Sequence, residues 1–133
     1  MKYFVIALVL WAASFAPTVA NEAEIKTTIQ AQLDAFQDDD FISAFEIAAP
    51  NIRSIFGTAE RFGAMVQKGY PMVYRPSDVL FLTLERFEDE IWQKIEIRDA
   101  LGQYHILAYK MINLDGVWRI EGVRLMTTRD VGV

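Results

Sequence analysis

Few side chains in this 133-residue chain are suited to chemistry, and their types limit what it can do. There is one histidine, His105, and there is no cysteine. Histidine is the natural general base near neutral pH. A single histidine without thiols, however, leaves a zinc site dependent on carboxylates, an unusual donor set. Neither a metal nor a cofactor is expected. The run Asp38-Asp39-Asp40 places three carboxylates in a row. Consecutive residues diverge in direction, and aspartate is a preferred N-cap just before an apolar helical pattern restarts at Phe41, so capping is the simpler role. No serine sits in a G-x-S-x-G elbow, and the glycines are too dispersed for a phosphate-binding loop.

The segment "MVQKGYPMVYRPS", residues 65–77, supplies better binding candidates: Tyr70, Tyr74 and Arg75. An arginine beside a tyrosine at a pocket rim can clamp a carboxylate or stack on a planar ligand. The structural alternative buries both rings in a helix–sheet seam and pairs Arg75 with a surface acid. Gly69 is expected in a left-handed conformation at a helix C-terminus, with Pro71 preventing continuation. The prolines push Tyr70 and Arg75 toward extended backbone, so Met72 to Arg75 is expected as an edge strand or extended arm.

The elements that must position these groups follow from periodicity. Ile25, Ile29, Leu33 and Phe36 recur at helical spacing, predicting a helix from about Glu22 to Gln37. Phe41 to Ala48 predicts a second, which Pro50 helps to end, and Asn51 can cap a further turn through Ile52, Ile55 and Phe56. After Gly57 and Thr58 a third helix follows, apolar at Ala59, Phe62 and Val66. The period then changes to two. Val79 to Phe87, Ile91 to Arg98, Gln103 to Ile112 and Val117 to Met126 read as strands separated by acidic or glycine-containing turns. The expectation is an α+β domain with three N-terminal helices packed on a curved antiparallel sheet of four to five strands.

If residues 99–102 form a four-residue loop, Arg98 pairs with Gln103, Glu96 with His105 and Trp92 with Tyr109. One sheet face then carries Trp92, Leu107, Tyr109 and Met111, joined by Trp118 and Ile120 if the Asp115-Gly116 turn spans two or four residues. This adds Trp92, Tyr109 and Trp118 to the ligand-binding candidates. The other face would hold Ile91, Ile95, Ile97, Tyr104, Ile106, Ala108 and Ile112, with Gln93 and Lys110. Three short helices cover one face only, which predicts a homodimer through the other.

These segments carry a resemblance. "DDDFISAF", "FGTAERFGAMVQKGYPMVYRP" and the closing "DGVWRIEGVRL" resemble the cystatin-like cone of the nuclear transport factor two-like superfamily. More closely, they are similar to an uncharacterised family of bacterial exported domains. The resemblance implies a curved sheet around a long helix, with a pocket at the open end of the cone. Some members use that pocket for isomerase or dehydratase chemistry, others for binding or dimerisation alone. In ketosteroid isomerase, enolisation takes a carboxylate base and an acidic partner in an apolar pocket; the corresponding candidates here would be Asp40, Glu85 or His105.

The N-terminus points to export. Lys2, the apolar run Tyr3 to Ala13 and the small-residue ending Thr18-Val19-Ala20 read as a secretory signal over residues 1–20. Ser14, Pro17 and Thr18 weaken the competing reading of a retained membrane anchor. The remaining residues, 21–133, suit one domain, in the periplasm or secreted. They carry 12 basic against 18 acidic side chains, with no basic run, which argues against nucleic acid as a partner. The leading functional expectation is a non-catalytic module that binds a small apolar or carboxylate ligand or dimerises. The alternatives are an isomerase- or dehydratase-like enzyme and an accessory partner of an envelope protein.

Overall fold

A computed structural model describes residues 18–127 of the chain. Residues 1–17, which hold most of the expected export signal, and residues 128–133 lie outside the described part. The stripe Ile25, Ile29, Leu33 and Phe36 lies on helix α1 (Thr18–Gln37), and all four side chains are buried. Asp39 then adopts a left-handed backbone, with φ at 53°. Asp40 caps α2 (Phe41–Ile47), its carboxylate accepting from Ser43 N at 3.1 Å and from Ser43 Oγ at 2.6 Å. The acidic run is therefore a turn followed by a cap.

Helix α3 (Pro50–Phe56) begins at Pro50. The proline that was expected to close α2 also opens the next helix, because the first helical position needs no N–H donor. Thr58 caps α4 (Ala59–Gly69), accepting from Arg61 N at 3.2 Å. Two expectations for residues 65–77 are corrected. Gly69 ends α4 without a left-handed backbone, and the C-cap is Tyr70 at φ −135°. Met72 to Arg75 do not form an extended arm: α5 (Pro71–Tyr74) is a single helical turn that buries Met72 and Val73. Proline blocks the helix arriving from upstream, yet its fixed φ suits the first residue of a new one. Arg75, ahead of Pro76, leaves the helical region as the preproline clash favours.

The strands β1 (Asp78–Phe87), β2 (Glu90–Arg98), β3 (Tyr104–Leu114) and β4 (Val117–Met126) form an antiparallel meander in sequence order. The helices cover one face, giving the α+β architecture expected. The β2–β3 register differs by one residue from the expected one. Arg98 pairs with Tyr104, Ile97 with His105 and Gln93 with Tyr109. Asp99 N donates to Gln103 O at 2.8 Å, and Gly102 takes a left-handed φ of 82°, so the loop holds three residues rather than four. Because side chains alternate, a one-residue shift exchanges the faces of a strand. Gln93, Ile95 and Ile97 therefore face the core beside Leu107, Tyr109 and Met111, while Trp92 moves outward beside Lys110.

Irregularities bend the sheet. The β1–β2 register shifts between Phe81 and Leu84, and the β3–β4 register shifts between Lys110 and Met111. Such bulges sharpen local twist and allow a sheet to wrap a helix. On the helical side, Gly63 of α4 permits close approach, since a Cβ there would stand 2.4 Å from Phe41 Cδ1. Gly63→Ala should lower stability. Overpacking of about 1–3 kcal/mol outweighs or cancels a helix-propensity gain of about 1 kcal/mol. Urea midpoints of the two proteins check this, and a clear rise for the variant would contradict the packing account.

Candidate functional site

The helices and the curved sheet leave a cavity of about 240 Å³ between them. Helix α1 contributes Gln32 and Phe36, α4 contributes Phe62, Met65 and Val66, and α5 contributes Val73. Tyr109 of β3 and Ile120, Gly122 and Val123 of β4 form the sheet side. Helix α3 closes the remainder with Ile52, Ile55 and Phe56. Ile55 is 70% exposed and marks the rim, and no residue of α3 is fully buried.

Polar groups in this wall are few. Gln32 is buried and donates from Nε2 to Ala44 O at 3.1 Å. Tyr109 is 0% exposed, and its hydroxyl finds no hydrogen-bond partner among the described residues. An unpaired buried donor costs about 1–3 kcal/mol, and Gln93 Oε1, on the cross-strand neighbour of Tyr109, is likewise buried without a partner among the described residues. Burial pushes the phenol above its ordinary pKa, with Tyr70 adding in the same direction. Tyr109 therefore stays protonated and retains a proton to donate.

Of the six binding candidates, the structure brings Tyr70 and Tyr109 together in the pocket wall. Tyr74 and Arg75 lie outside it and bind the end of α1. The Tyr74 hydroxyl donates to Asp39 Oδ1, and Arg75 Nη2 reaches the same oxygen at 3.0 Å. Arg75 Nη1 donates to Phe36 O at 2.6 Å, while its guanidinium lies 3.9 Å from the Tyr74 ring centroid. Trp118 faces the core at the seam between α1 and β4, its indole N–H bonded to Glu24 Oε2 at 3.0 Å. Trp92 is on the outer face and donates to Glu90 Oε2 at 2.9 Å; the register shift removed it from the interior.

The three residues considered for catalysis also lie outside the wall. Asp40 is the α2 cap, and Glu85 pairs with Lys94 at 2.9 Å. His105 stands opposite Ile97 rather than Glu96 and contacts Asp99 at 2.7 Å. The sequence reading missed Gln32 and the aromatic residues of α3 and α4. Gln32 carried a signal, since a glutamine one position before Leu33 falls beside the apolar stripe.

A family model described as a domain of unknown function (DUF4864) matches residues 18–133. The chain belongs to the DUF4864 family. Two solved structures share the fold of this DUF4864 chain. One is an NTF-2-like protein of unknown function from Shewanella oneidensis, with TM-score 0.51 and 10% identity, covering 79% of this chain and 98% of that one. The other is Aln2 from a Streptomyces species, with TM-score 0.50 and 14% identity, covering 87% of this chain and 95% of that one. At these identities the likeness extends to the NTF-2-like cone fold. No protein of curated function matches the sequence.

Hydrogen bonds from Tyr74 and then Arg75 hold Asp39 below its usual carboxylate range. A depressed pKa means that the folded state favours the ionised form, so this contribution is present above the unfolded pKa and disappears as pH falls through the folded one. Asp39→Asn should therefore be less stable than wild type at neutral pH, with the gap shrinking toward about pH 3. Arg75→Ala should behave similarly. Denaturation midpoints across this range check the assignment, and a gap that widens on acidification would refute it.

Proposed function

We propose that this chain is a non-catalytic exported module that holds a small, mainly apolar molecule in the pocket between α3, α4 and the sheet. The composition of the wall carries the reading. Among the described residues lining it, every side chain is apolar except Gln32, Tyr70 and Tyr109. A pocket with apolar walls and a few placed polar groups suits binding. Isomerase or dehydratase chemistry would call for a carboxylate or imidazole beside the ligand, and Asp40, Glu85 and His105 are committed elsewhere. Arg75 is likewise engaged with Asp39, which favours an uncharged ligand over a carboxylate.

Export and dimerisation belong to the same proposal. Cleavage after Ala20 would leave Ile25, a fully buried position of α1, intact. The outer sheet face carries Trp92, Ile106 and Ala108, flanked by the Lys94–Glu85 and Lys110–Glu90 ion pairs. That face is less apolar than the expected one, because Ile95 and Ile97 lie in the core. A partner surface there would combine the Trp92 region with charge pairing at the rim.

Native mass spectrometry of protein purified without denaturation reads all three features. The expected species is a dimer of chains starting at Asn21, each with additional noncovalent mass. Val123→Trp, which fills the pocket, should lose that mass and keep the dimer. An unprocessed N-terminus would sink export, and a monomer at all concentrations would sink dimerisation. Added mass that persists in Val123→Trp would remove the pocket from the proposal.

A further inference from the structure

We infer that the occupant of this pocket is a neutral, ring-containing molecule that donates a hydrogen bond, from an N–H or O–H group, to Gln32 Oε1. The inference rests on the pocket being a binding site and adds the chemical class of what it holds. Gln32 belongs to α1, is 3% exposed and lines the cavity. Its Nε2 donates to Ala44 O of α2 at 3.1 Å. That bond orients the amide: the nitrogen is held toward α2, and the oxygen, on the other arm of the planar group, is turned away from it. Gln32 Oε1 accepts no hydrogen bond among the described residues. The side-chain atoms there that are both unpaired and sealed are Arg53 Nε, Gln93 Oε1 and the Tyr109 hydroxyl. Gln32 Oε1 is not one of them, so it is an unpaired acceptor with surface open to the cavity that its side chain lines.

The other polar groups of the region do not take this role. The Tyr109 hydroxyl and the Oε1 of its cross-strand neighbour Gln93 are sealed from any occupant. Tyr70 brings a hydroxyl to the wall, but a hydroxyl both donates and accepts and so does not choose between the two kinds of ligand. An amide oxygen only accepts. An occupant without a donor would cover this oxygen and leave it unbonded, which is costly. Charge, shape and size narrow the class further. Among the described residues the wall holds no lysine, arginine, histidine or carboxylate, so an ionised ligand would lose its hydration without gaining a counter-charge. Phe36, Phe56 and Phe62, with the thioether of Met65, offer ring faces and a polarisable sulfur to a flat ring. A cavity of about 240 Å³, compared with about 150 Å³ for one that accepts benzene, corresponds to roughly ten heavy atoms. The class is therefore a compact phenol, indole or cyclic alcohol.

Three bicyclic probes of nearly equal shape test this: indole, which has an N–H donor; 1-benzofuran, which has an oxygen acceptor in its place; and indene, which has neither. Indole-3-carboxylate, which keeps the donor and adds a charge, is the fourth. Affinities are measured by NMR titration of the folded wild-type domain and of Gln32→Met, Tyr70→Phe and Val123→Trp. In wild type and Tyr70→Phe, indole should bind about fivefold more tightly than benzofuran or indene, the size of one net hydrogen bond. The carboxylate should bind most weakly. The Gln32 side-chain carbonyl carbon resonance should move on addition of indole and stay in place with indene. In Gln32→Met the advantage of indole should vanish while indene still binds, and Val123→Trp should bind none of the four.

Equal binding of indole and indene to wild type overturns the inference without help from any variant, so the test stands even if Gln32→Met, which leaves Ala44 O without its donor, does not fold. Preference for benzofuran overturns it too, because the wall would then be selecting an acceptor. An indole advantage that survives in Gln32→Met, or one that is lost in Tyr70→Phe, assigns the bond to another group and rejects Gln32. Preferred binding of the carboxylate rejects a neutral occupant. Indole that still binds Val123→Trp lies outside the pocket and overturns the inference. If none of the probes binds wild type, the pocket reading fails and takes this inference with it; if indene binds as well as indole, the pocket reading holds and the donor is rejected.

Discussion

The apolar stripe of α1 must be covered along its length by a sheet, and the other features of the domain accommodate that contact. Burying a side chain the size of Ile25, Ile29, Leu33 or Phe36 contributes about 1.5–3 kcal/mol each. A flat four-stranded sheet could not wrap such a helix. The register shifts in β1–β2 and β3–β4 supply curvature, and each disturbs the hydrogen-bond ladder. At the first, the Leu82 carbonyl is met by the Gln93 side chain, which explains a glutamine at 0% exposure in an apolar core. At the second, Asn51 Nδ2 donates to Glu121 O at 3.2 Å, joining α3 to the bulged strand.

The curvature that covers α1 also leaves room for the pocket. Ile120 and Gly122, which flank Glu121 in the β4 irregularity, both line the cavity. Helix α3 lies over this region and is tied to it by Ala49 N donating to Ile120 O at 2.8 Å, together with the Asn51 contact. With no fully buried residue, α3 is the most lightly embedded wall of the pocket. The aromatic cluster of Phe36, Phe45, Phe56 and Phe62 joins α3 to α1, α2 and α4, with ring centroids 5.5–5.8 Å apart at its contacts with Phe62.

Ionised groups are gathered at the ends and outer face of this cone, where water reduces the cost of their charge. Asp39 and Arg75 secure the end of α1, and Asp99 and His105 secure the β2–β3 turn. Glu85 with Lys94, and Lys110 with Glu90 and Glu121, cross the outer face of the sheet. The groups best suited to acid–base chemistry thus serve as fasteners. What remains at the pocket is an apolar surface interrupted by Gln32, Tyr70 and Tyr109.

The sequence alone determined the elements whose cause is local. Helical spacing along α1, the Asp40 and Thr58 caps, and the turns before β2 and β4 were legible because each depends on residues a few positions apart. The α+β class followed from those patterns. Pro50 and Pro71 were legible as interruptions but not as helix starts, since one residue type serves both ends. Only tertiary structure decided the β2–β3 register. Residues 99–102 are compatible with more than one loop length, and the choice rests on burying Ile95 and Ile97 with Gly102 left-handed. That choice sent Trp92 outward. It was also tertiary contact with Asp39 and Phe36 that took Arg75 from a pocket rim to the end of a helix, because a long charged side chain goes to the acceptors that folding brings within its reach.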